Sequence, residues 1–228
     1  MSITGSDARS AQRPRSRSSI GSSLLAANRV NAYHGNMDKA AVRRRMKVVL
    51  AGIPPADLAS RSAHAAARLI ATHWWHRAGV VLAFLAMPGE PDPRGVVALA
   101  RAEGKTAAAP LIVDGEIEFR LIAGDPGRLA RGNWGIPQPD PSWPAWAPWP
   151  DPAGILVVTP GLAFDAGLHR LGRGGGYYDR FLARLRAMPG IRCTAVGFCL
   201  EEQIVDGLPH DDRDQRVDAI VTDRRTIG

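Results

Sequence analysis

The sequence predicts an α/β fold, a three-layer sandwich with a mainly parallel central sheet flanked by helices. Two continuous apolar runs, at residues 80–87 and 155–160, are typical of strands that are buried on both faces. Segments with helical periodicity lie between the apolar runs, and alternating strands and helices favour a parallel sheet. The chain has 228 residues, of which 45% are hydrophobic, so it can build the core that such a sandwich needs.

Four segments have the periodicity or the end signals of helices. Residues 38–50 begin at Asp38, a residue type that caps helix N-termini, and a pair of prolines ends the pattern. Residues 56–76 form an Ala-rich amphipathic segment that predicts a single helix. Residues 93–103 begin with proline, which favours the first helical turn, and residues 177–188 follow a glycine-rich loop.

Apolar or alternating segments complete the predicted sheet. The strand segments are residues 80–87, 107–113, 116–122, 155–160, 193–200 and 219–223. Asp114-Gly115 lies between two of these segments and is typical of a tight hairpin turn. Residues 123–153 are rich in Pro and Trp, which indicates a long irregular connection over the surface of one domain.

Composition excludes several classes of protein. The apolar run at residues 79–88 is far shorter than the roughly 20 residues that a membrane-spanning helix needs. Cys193 and Cys199 are the only cysteines, which disfavours a disulfide scaffold and a structural zinc site. We expect both to be reduced thiols buried in a strand, in a reducing compartment such as the cytoplasm.

The net charge of +7 is unevenly distributed. Residues 1–36 hold five Arg and one Asp, for a net charge of +4. The other 192 residues hold 24 basic and 21 acidic side chains, for a net charge of +3. A nearly balanced body indicates a local anion site rather than a nucleic-acid surface, although the high isoelectric point keeps nucleic-acid binding as an alternative.

Residues 1–36 have the composition of a disordered basic extension, rich in Ser and Arg without apolar periodicity. An Arg- and Ser-rich start resembles an organelle transit peptide. The helical pattern that follows Met37 at once favours the other interpretation, in which the extension is dispensable and Met37 is the true start. The sequence therefore predicts one α/β domain over residues 37–228.

The strongest candidate site is the segment GLHRLGRGGGYYDRF at residues 167–181, between a predicted buried strand and a predicted helix. Its glycines, Gly172, Gly174, Gly175 and Gly176, let backbone N–H groups approach an anion, and the helix N-terminus adds partial positive charge. Arg170 and Arg173 can bind phosphate oxygens, and Asp179 can hold Mg²⁺. The alternative is a glycine-rich turn in which Asp179 only caps the helix.

These residues resemble a known family. Residues 160–165 followed by residues 170–180 are similar to the signature of the 5-formyltetrahydrofolate cyclo-ligases, also called methenyltetrahydrofolate synthetases. Weaker similarities follow the family's order at Lys39 with Arg43, and at residues 84–90, 133–139 and 196–222. The resemblance covers about residues 37–225 and rests most specifically on residues 170–179.

The resemblance implies an ATP- and Mg²⁺-dependent enzyme that converts 5-formyltetrahydrofolate to 5,10-methenyltetrahydrofolate, ADP and phosphate. The γ-phosphoryl group passes to the formyl oxygen and makes it a good leaving group, after which N10 of the folate closes the ring. The protein then mainly positions the reactants and neutralises charge. The resemblance also implies a small-molecule substrate and no nucleic-acid or membrane partner. The sequence does not determine the oligomeric state, for which a monomer is favoured.

The resemblance further implies roles for individual residues. Nucleotide contacts are expected from Lys39, Arg43, Arg170, Gly172, Gly174, Gly175, Gly176, Tyr177 and Tyr178. Folate contacts are expected from Leu85, Glu90, Trp134, Arg173 and Tyr177, because the pterin N–H groups suit a carboxylate and its rings suit flat apolar side chains. Lys39 and Arg173 are expected to be catalytic, and Asp179 and Asp214 are expected to hold Mg²⁺.

The C-terminal part departs from the family pattern. Arg213 precedes Asp214 where the family often has His, and Asp211 stands where a Glu is common. A diverged member that binds nucleotide but acts on another substrate is therefore the alternative function. An ATPase assay with and without 5-formyltetrahydrofolate separates the two functions, because only the cyclo-ligase requires folate for ATP turnover.

Overall fold

The computed structural model describes residues 38–122, 129–131, 137–149 and 153–228. Within these ranges the helices are α1 (Lys39–Ala51), α2 (Pro55–Ile70), α3 (His73–Arg77), α4 (Arg94–Ala102) and α5 (Tyr177–Ala187). The strands are β1 (Val80–Ala83), β2 (Thr106–Val113), β3 (Glu116–Leu121), β4 (Ala130–Arg131), β5 (Pro137–Gln138), β6 (Ile155–Thr159), β7 (Ala163–Asp165), β8 (Arg170–Leu171), β9 (Cys193–Phe198), β10 (Ile204–Val205), β11 (Ala219–Val221) and β12 (Thr226–Ile227). The predicted extension at residues 1–36 lies outside the described residues.

In the described ranges, seven strands form the central sheet in the order β12-β11-β9-β6-β1-β2-β3. The strands from β11 to β2 are parallel to their neighbours. The two edge strands, β12 and β3, are antiparallel. The predicted α/β architecture with a mainly parallel sheet is therefore confirmed.

Helices cover both faces of this sheet. The crossovers β1–α4–β2 and β6–α5–β9 start from adjacent strands and run in opposite directions along the sheet. Because such crossovers are right-handed, α4 and α5 lie on opposite faces. α2 packs beside α4, which completes the layer on that face.

The central strands β1 and β6 are buried along their whole length, as their continuous apolar sequences predict. β1 is shorter than the predicted segment, because its pairing ends at Ala83, opposite Val158. β6 ends directly before Pro160, which has no N–H to extend the ladder. Phe84 and Leu85 stay buried beyond the end of the strand.

The prediction of one helix over residues 56–76 is wrong, because the chain forms two helices there, α2 and α3. Thr72 lies between them, where its hydroxyl donates to the Leu69 carbonyl oxygen at 2.7 Å and accepts from the Trp75 N–H at 3.3 Å. Such bonds compete with the helical ladder and favour a new N-cap. Trp75, which lies in α3 after this break, is buried in the core.

α1 belongs to a second, smaller core. Asp38 caps it as predicted, and its Oδ1 accepts from the Ala41 N–H at 2.6 Å. The small sheet β10-β7-β8 carries the residues against which the apolar face of α1 packs. The buried members of this core are Val42, Met46, Leu50, Leu162, Ala163, Leu171, Val205 and Leu208. α1 is thereby fixed to the strands that precede the glycine-rich loop.

The hairpin turn at Asp114-Gly115 is confirmed, since both residues have positive φ, +49° and +80°, as a tight hairpin turn requires. The connection after β3 was predicted to run over the surface, but its described part returns to the core at Trp146. Trp146 is buried, its backbone N–H donates to the Phe119 carbonyl oxygen at 2.7 Å, and the Trp146 and Phe119 rings meet edge to face. Burial of this large ring anchors part of the connection to the core.

The two cysteines are free thiols. Cys193 opens β9 and is half-buried, whereas Cys199 lies just beyond the end of β9 and is fully buried. Burial raises the pKa of both thiols above its ordinary value. The helices of the described residues include none that is long and apolar enough to cross a membrane.

Candidate active site

The site lies where the two crossovers diverge, at the carboxyl ends of β1 and β6. α/β sheets bind ligands in the crevice at this position, because the connections leave to opposite faces and open a gap. Residues 84–93 follow β1, and residues 160–176 follow β6 and include the small strands β7 and β8. The topology therefore brings Glu90 and the glycine-rich loop to the same edge.

The glycine-rich loop at residues 172–176 depends on glycine in two ways. Gly174 and Gly176 have φ of +116° and +66°, which other residues rarely adopt. A Cβ at Gly175 would lie 2.5 Å from Cε2 of Tyr177, and one at Gly172 would lie 3.1 Å from Nη1 of Arg170. A side chain is therefore disfavoured by backbone conformation at Gly174 and Gly176 and by the Tyr177 ring at Gly175, and the exposed backbone of Gly174 and Gly175 is accessible to a ligand.

α5 begins directly after this loop. Gly176 is its N-cap and provides no side-chain hydrogen bond to the first N–H groups of the helix. These N–H groups and the helix dipole favour an anion at this end. The loop and helix start therefore have the features of a phosphate cradle.

Arg170 and Asp179 form an ion pair beneath the loop. Nη2 of Arg170 donates to Oδ1 of Asp179 at 2.7 Å, and the Arg170 side chain is only 3% exposed. The same Oδ1 accepts from the Gln215 N–H at 3.1 Å, which ties α5 to the C-terminal segment. Asp179 lies in the first turn as predicted, but it pairs with Arg170 instead of capping the helix.

Tyr178 lies against this ion pair. The Arg170 guanidinium carbon is 5.6 Å from the centre of the Tyr178 ring. Burial raises the pKa of the Tyr178 hydroxyl far above its ordinary value, so the hydroxyl stays protonated. Within the described residues the buried Tyr178 hydroxyl and Nε of Arg170 have no hydrogen-bond partner.

Lys39 connects α1 to two carboxylates of the C-terminal segment. Its Nζ lies 2.7 Å from Oδ2 of Asp211 and 2.6 Å from Oδ2 of Asp214. Burial lowers the pKa of Lys39, but the two carboxylates outweigh burial and raise it overall. The hydrogen bond from Lys39, together with the Arg213 N–H, lowers the pKa of Asp211 to about 2.

Arg43 stands one helical turn after Lys39 and reaches the glycine-rich loop. Its Nε donates to the Gly172 carbonyl oxygen at 2.9 Å, and its guanidinium borders Gly174. Residues four apart on a helix share one face, so α1 presents both cations to the same site. The structure thereby brings together the two α1 residues that the sequence singled out.

Glu90 and Arg173 form a second ion pair across the crevice. Oε1 of Glu90 lies 2.8 Å from Nε and 2.7 Å from Nη2 of Arg173. Oε2 of Glu90 accepts from the Met87 N–H at 3.0 Å, which fixes the carboxylate. The Glu90 side chain is 10% exposed, whereas Arg173 is 40% exposed and borders solvent.

The predicted ring-binding residues differ in accessibility. Leu85 is buried just beyond β1, and Tyr177 is 38% exposed at the start of α5. Trp134, the third predicted ring contact, lies outside the described residues. Tyr177 is therefore the accessible aromatic surface beside the described part of the loop.

The sequence did not predict the roles of Asp211 and Arg180. Asp211 and Asp214 both form ion pairs with Lys39. The sequence indicated Asp211 only as a departure from the family pattern, three residues before Asp214. Arg180 donates hydrogen bonds both to the Gly175 carbonyl oxygen in the glycine-rich loop and to the Gly115 carbonyl oxygen in the β2–β3 turn. Its signal was weak, a basic residue one turn after Tyr177.

Asp179 and Asp214 fit a magnesium ion. Each carboxylate uses one oxygen for its hydrogen bonds in the described part of the chain, Oδ1 in Asp179 and Oδ2 in Asp214. Groups of three or more His, Cys, Asp or Glu that could hold a metal are absent from the described residues. Mg²⁺ needs no such cage, because it binds through one or two carboxylates together with substrate phosphates.

A separate groove of about 790 Å³ lies at the opposite, amino end of the parallel strands. Its lining includes Arg77, Gly154 and Cys193. The predicted site residues do not line it, and ligands of α/β sheets bind at the carboxyl ends. The crevice with the glycine-rich loop is therefore the candidate active site.

Known proteins are similar to this chain in sequence and in fold. A model of the 5-formyltetrahydrofolate cyclo-ligase family matches residues 36–223. A Caenorhabditis elegans protein named probable 5-formyltetrahydrofolate cyclo-ligase is 26% identical over 196 residues, which cover 83% of this chain and 94% of that protein. A Schizosaccharomyces pombe protein of the same name is 32% identical over 163 residues, which cover 67% and 79%.

Solved structures agree with the family match. The NMR structure of Aquifex aeolicus 5,10-methenyltetrahydrofolate synthetase is 25% identical, with a TM-score of 0.69 over 84% of this chain and 92% of that one. A 5,10-methenyltetrahydrofolate synthetase from Mycoplasma pneumoniae, 19% identical with a TM-score of 0.62 over 82% of this chain and 100% of that one, shares the fold. Because the family match spans most of the chain and the fold recurs, the protein belongs to the 5-formyltetrahydrofolate cyclo-ligase family, as the sequence resemblance predicts.

Proposed function

We propose that the protein catalyses the ATP- and Mg²⁺-dependent cyclisation of 5-formyltetrahydrofolate to 5,10-methenyltetrahydrofolate, with release of ADP and phosphate. The observation that carries the proposal is the juxtaposition of a glycine-rich phosphate cradle with Glu90 across one crevice. The Glu90–Arg173 ion pair joins the two halves of this crevice. A phosphate donor and a folate can therefore meet between them.

The reaction needs positioning and charge neutralisation more than covalent participation by the protein. The formyl oxygen attacks the γ-phosphorus, and the bond from that phosphorus to ADP breaks. N10 then attacks the formyl carbon, the phosphorylated oxygen leaves as phosphate, and the proton of N10 is lost. An amide oxygen is a weak nucleophile and a poor leaving group, so cations around the phosphoryl group supply most of the catalysis.

Three cations are available for the phosphates. Lys39 and Arg43 approach from α1, and Arg173 approaches from the loop. We assign Lys39 and Arg173 to the transferred phosphoryl group and Arg43 to the cradle. Arg170 is expected to act from below, because its buried guanidinium holds Asp179 in place.

Mg²⁺ would be held by the free oxygens of Asp179 and Asp214. When bound, it neutralises charge on the phosphate oxygens. Lys39 and the Asp211 N–H hold Oδ2 of Asp214, so the other oxygen is presented in a fixed orientation. Arg170 and the Gln215 N–H do the same for Asp179.

The folate side is formed by Glu90 and the ring-binding residues. A carboxylate can accept two N–H groups of the pterin, which gives Glu90 an orienting role. Tyr177, Leu85 and Trp134 are assigned to apolar contacts with the rings. For Glu90 to bind the pterin, Arg173 must leave Oε1, which releases that cation towards the phosphates.

The test is to mix the protein with Mg-ATP and 5-formyltetrahydrofolate and to follow the methenylfolate absorbance band together with phosphate release. We expect both signals to rise with equal stoichiometry and to require all three components. ATP hydrolysis that ignores folate would contradict the proposal. It would favour a diverged member that acts on another substrate, an alternative motivated by the unusual sequence at residues 211–214.

A further inference from the structure

Arg180 connects two segments that are far apart in the sequence. Its Nη1 donates to the Gly175 carbonyl oxygen at 2.9 Å, and its Nη2 donates to the Gly115 carbonyl oxygen at 2.8 Å. Its Nε donates to Oε1 of Glu116 at 2.6 Å. All three nitrogens of one planar guanidinium are therefore engaged, so its orientation is fixed.

The fixed guanidinium lies over the Tyr177 ring. Its Cζ is 5.3 Å from the ring centre, within cation–π range. The ring also lies against Gly175, where an added Cβ would be 2.5 Å from Cε2, and a Cβ at Gly176 would be 3.0 Å from Nη1 of Arg180. Gly175, Gly176, Tyr177 and Arg180 thus form one closely packed unit.

Within this unit Tyr177 is still 38% exposed, at the start of α5 beside the glycine-rich loop. An aromatic ring that is held in place by its neighbours binds a flat ligand at less entropic cost than a free one. The packing would therefore be used in binding as well as in stability.

We propose that Arg180 is a positioning residue for the folate, and this rests on the proposed function. Arg180 lies on α5 and is anchored to Gly115 and Glu116 at the β2–β3 turn. From there it holds the Gly175 carbonyl and the Tyr177 ring, so that the ring presents a fixed face to the substrate rings. Arg180 itself does not touch the reacting atoms. Its effect reaches the folate through Tyr177.

The chain offers a matched control in Arg184. Arg184 lies one turn later on α5, pairs with the other oxygen of Glu116 and donates to the Ile117 carbonyl oxygen at 3.4 Å. It has a similar exposure to Arg180, 47% against 44%. In the described residues its contacts do not include the glycine-rich loop or Tyr177, so the two arginines differ in the feature under test.

The experiment compares Arg180→Leu and Arg184→Leu with the wild type, by thermal unfolding and by steady-state kinetics with folate as the varied substrate. Both variants should lose stability because each loses an ion pair with Glu116, and Arg180→Leu should lose more because its bonds to the Gly115 and Gly175 carbonyl oxygens are lost as well. Only Arg180→Leu should raise the KM for 5-formyltetrahydrofolate, by roughly threefold to tenfold, because the effect is limited to the aromatic contact that Tyr177 makes. Equal kinetic effects of the two variants would overturn the proposal.

A double-mutant cycle tests the route through Tyr177. In a Tyr177→Leu background, Arg180→Leu should change the folate KM by no more than about twofold, because the ring that Arg180 positions is gone. An undiminished effect in that background would assign Arg180 to another role. If Arg180→Leu does not fold, Arg180→Lys keeps the charge but cannot reach three acceptors, and it should show the same KM defect.

Turnover by the wild type separates a failure of the proposed role of Arg180 from a failure of the proposed function. If the wild type cyclises folate and the variants behave alike, only the role of Arg180 is wrong. If the wild type does not cyclise folate, the proposed function fails, and the positioning role fails with it.

Discussion

Residues of this site are held by partners that are distant in the sequence, such as Lys39 by Asp214 and Glu90 by Arg173. The glycine-rich motif identified Arg170, Arg173 and Asp179, because such residues within one short segment are specific. The sequence could not show that Arg170 is buried beneath the loop, since that depends on how the C-terminal segment packs. The partner of Lys39 was equally hidden, because Asp214 lies 175 positions further along the chain.

The first prediction concerns magnesium and uses Asp179→Asn and Asp214→Asn. Each variant loses an anionic oxygen ligand, so the magnesium concentration for half-maximal activity should rise at least tenfold. Asp179→Asn should also lower stability by about 1–2 kcal/mol, because the buried Arg170 loses its charged partner.

Asp212→Asn is the control for this titration. Asp212 is an exposed carboxylate in the same segment, so its loss changes the local charge without removing a proposed ligand. Its magnesium dependence should match that of the wild type. An unchanged half-saturation in Asp179→Asn would leave Asp179 with its structural role towards Arg170 alone.

The second prediction is a pH dependence of stability that comes from Lys39. The pKa of Asp211 is lowered to about 2 in the folded protein, so its contribution is present above the ordinary carboxyl pKa of about 4. The contribution is lost as the pH falls from about 4 to about 2. On the alkaline side the raised pKa of Lys39 keeps its contribution until the pH exceeds the ordinary lysine pKa.

Thermal unfolding of the wild type and Lys39→Met between pH 2 and pH 8 tests this dependence. The melting temperatures should differ at neutral pH and converge as the pH approaches 2. Parallel curves over the whole range would show that the ion pairs of Lys39 contribute nothing to stability.

At the scale of elements, the pattern of apolar runs predicted most strands and helices, because burial on both faces leaves a strong signal. The break between α2 and α3 was missed, since Thr72 fits a helical pattern and its side-chain bonds only appear in the folded chain. The burial of Trp146 was missed for a similar reason. Proline-rich composition says where a chain is irregular, but not which of its side chains return to the core.

The third prediction concerns coupling between the segment after β1 and the glycine-rich loop, which one ion pair joins. Folate at Glu90 should release Arg173 to the phosphates, so 5-formyltetrahydrofolate should strengthen binding of a non-hydrolysable ATP analogue, by roughly 5- to 150-fold if the coupling is typical. Glu90→Gln holds Arg173 less strongly. It should bind the analogue more tightly without folate and show little further gain with folate.

Equilibrium titrations of the analogue with and without folate measure this coupling in both proteins. Reciprocity provides an internal check, because the analogue must strengthen folate binding by the same factor. An equal gain with folate in Glu90→Gln and the wild type would show that the ion pair does not transmit the coupling.

At the scale of the whole molecule, the described helices and strands all belong to one compact unit, Tyr33–Gly228. The fourth prediction is that a chain beginning at Met37 folds and turns over like the full chain, because α1 starts with its own cap at Asp38. Melting temperature and folate cyclisation should both match the full chain. Lost turnover at unchanged stability would assign residues 1–36 a part in the reaction.

The same deletion decides the alternative of nucleic-acid binding. Removal of residues 1–36 takes away four of the seven net positive charges. Binding to nucleic acid that comes from this extension should disappear with it. Binding that persists with a steep salt dependence would point instead to the folded domain.

The position of α1 has a consequence for synthesis on the ribosome. Its apolar side chains, Val42, Met46 and Leu50, pack on residues from the second half of the chain, including Leu208. Lys39 likewise meets Asp214 only after 175 further residues have been made. At about 5–20 residues per second, α1 waits on the order of ten to thirty seconds for its partners. During that interval the apolar face of α1 lacks these partners, so we expect nascent chains to be most prone to aggregation before residues 162–208 have been made.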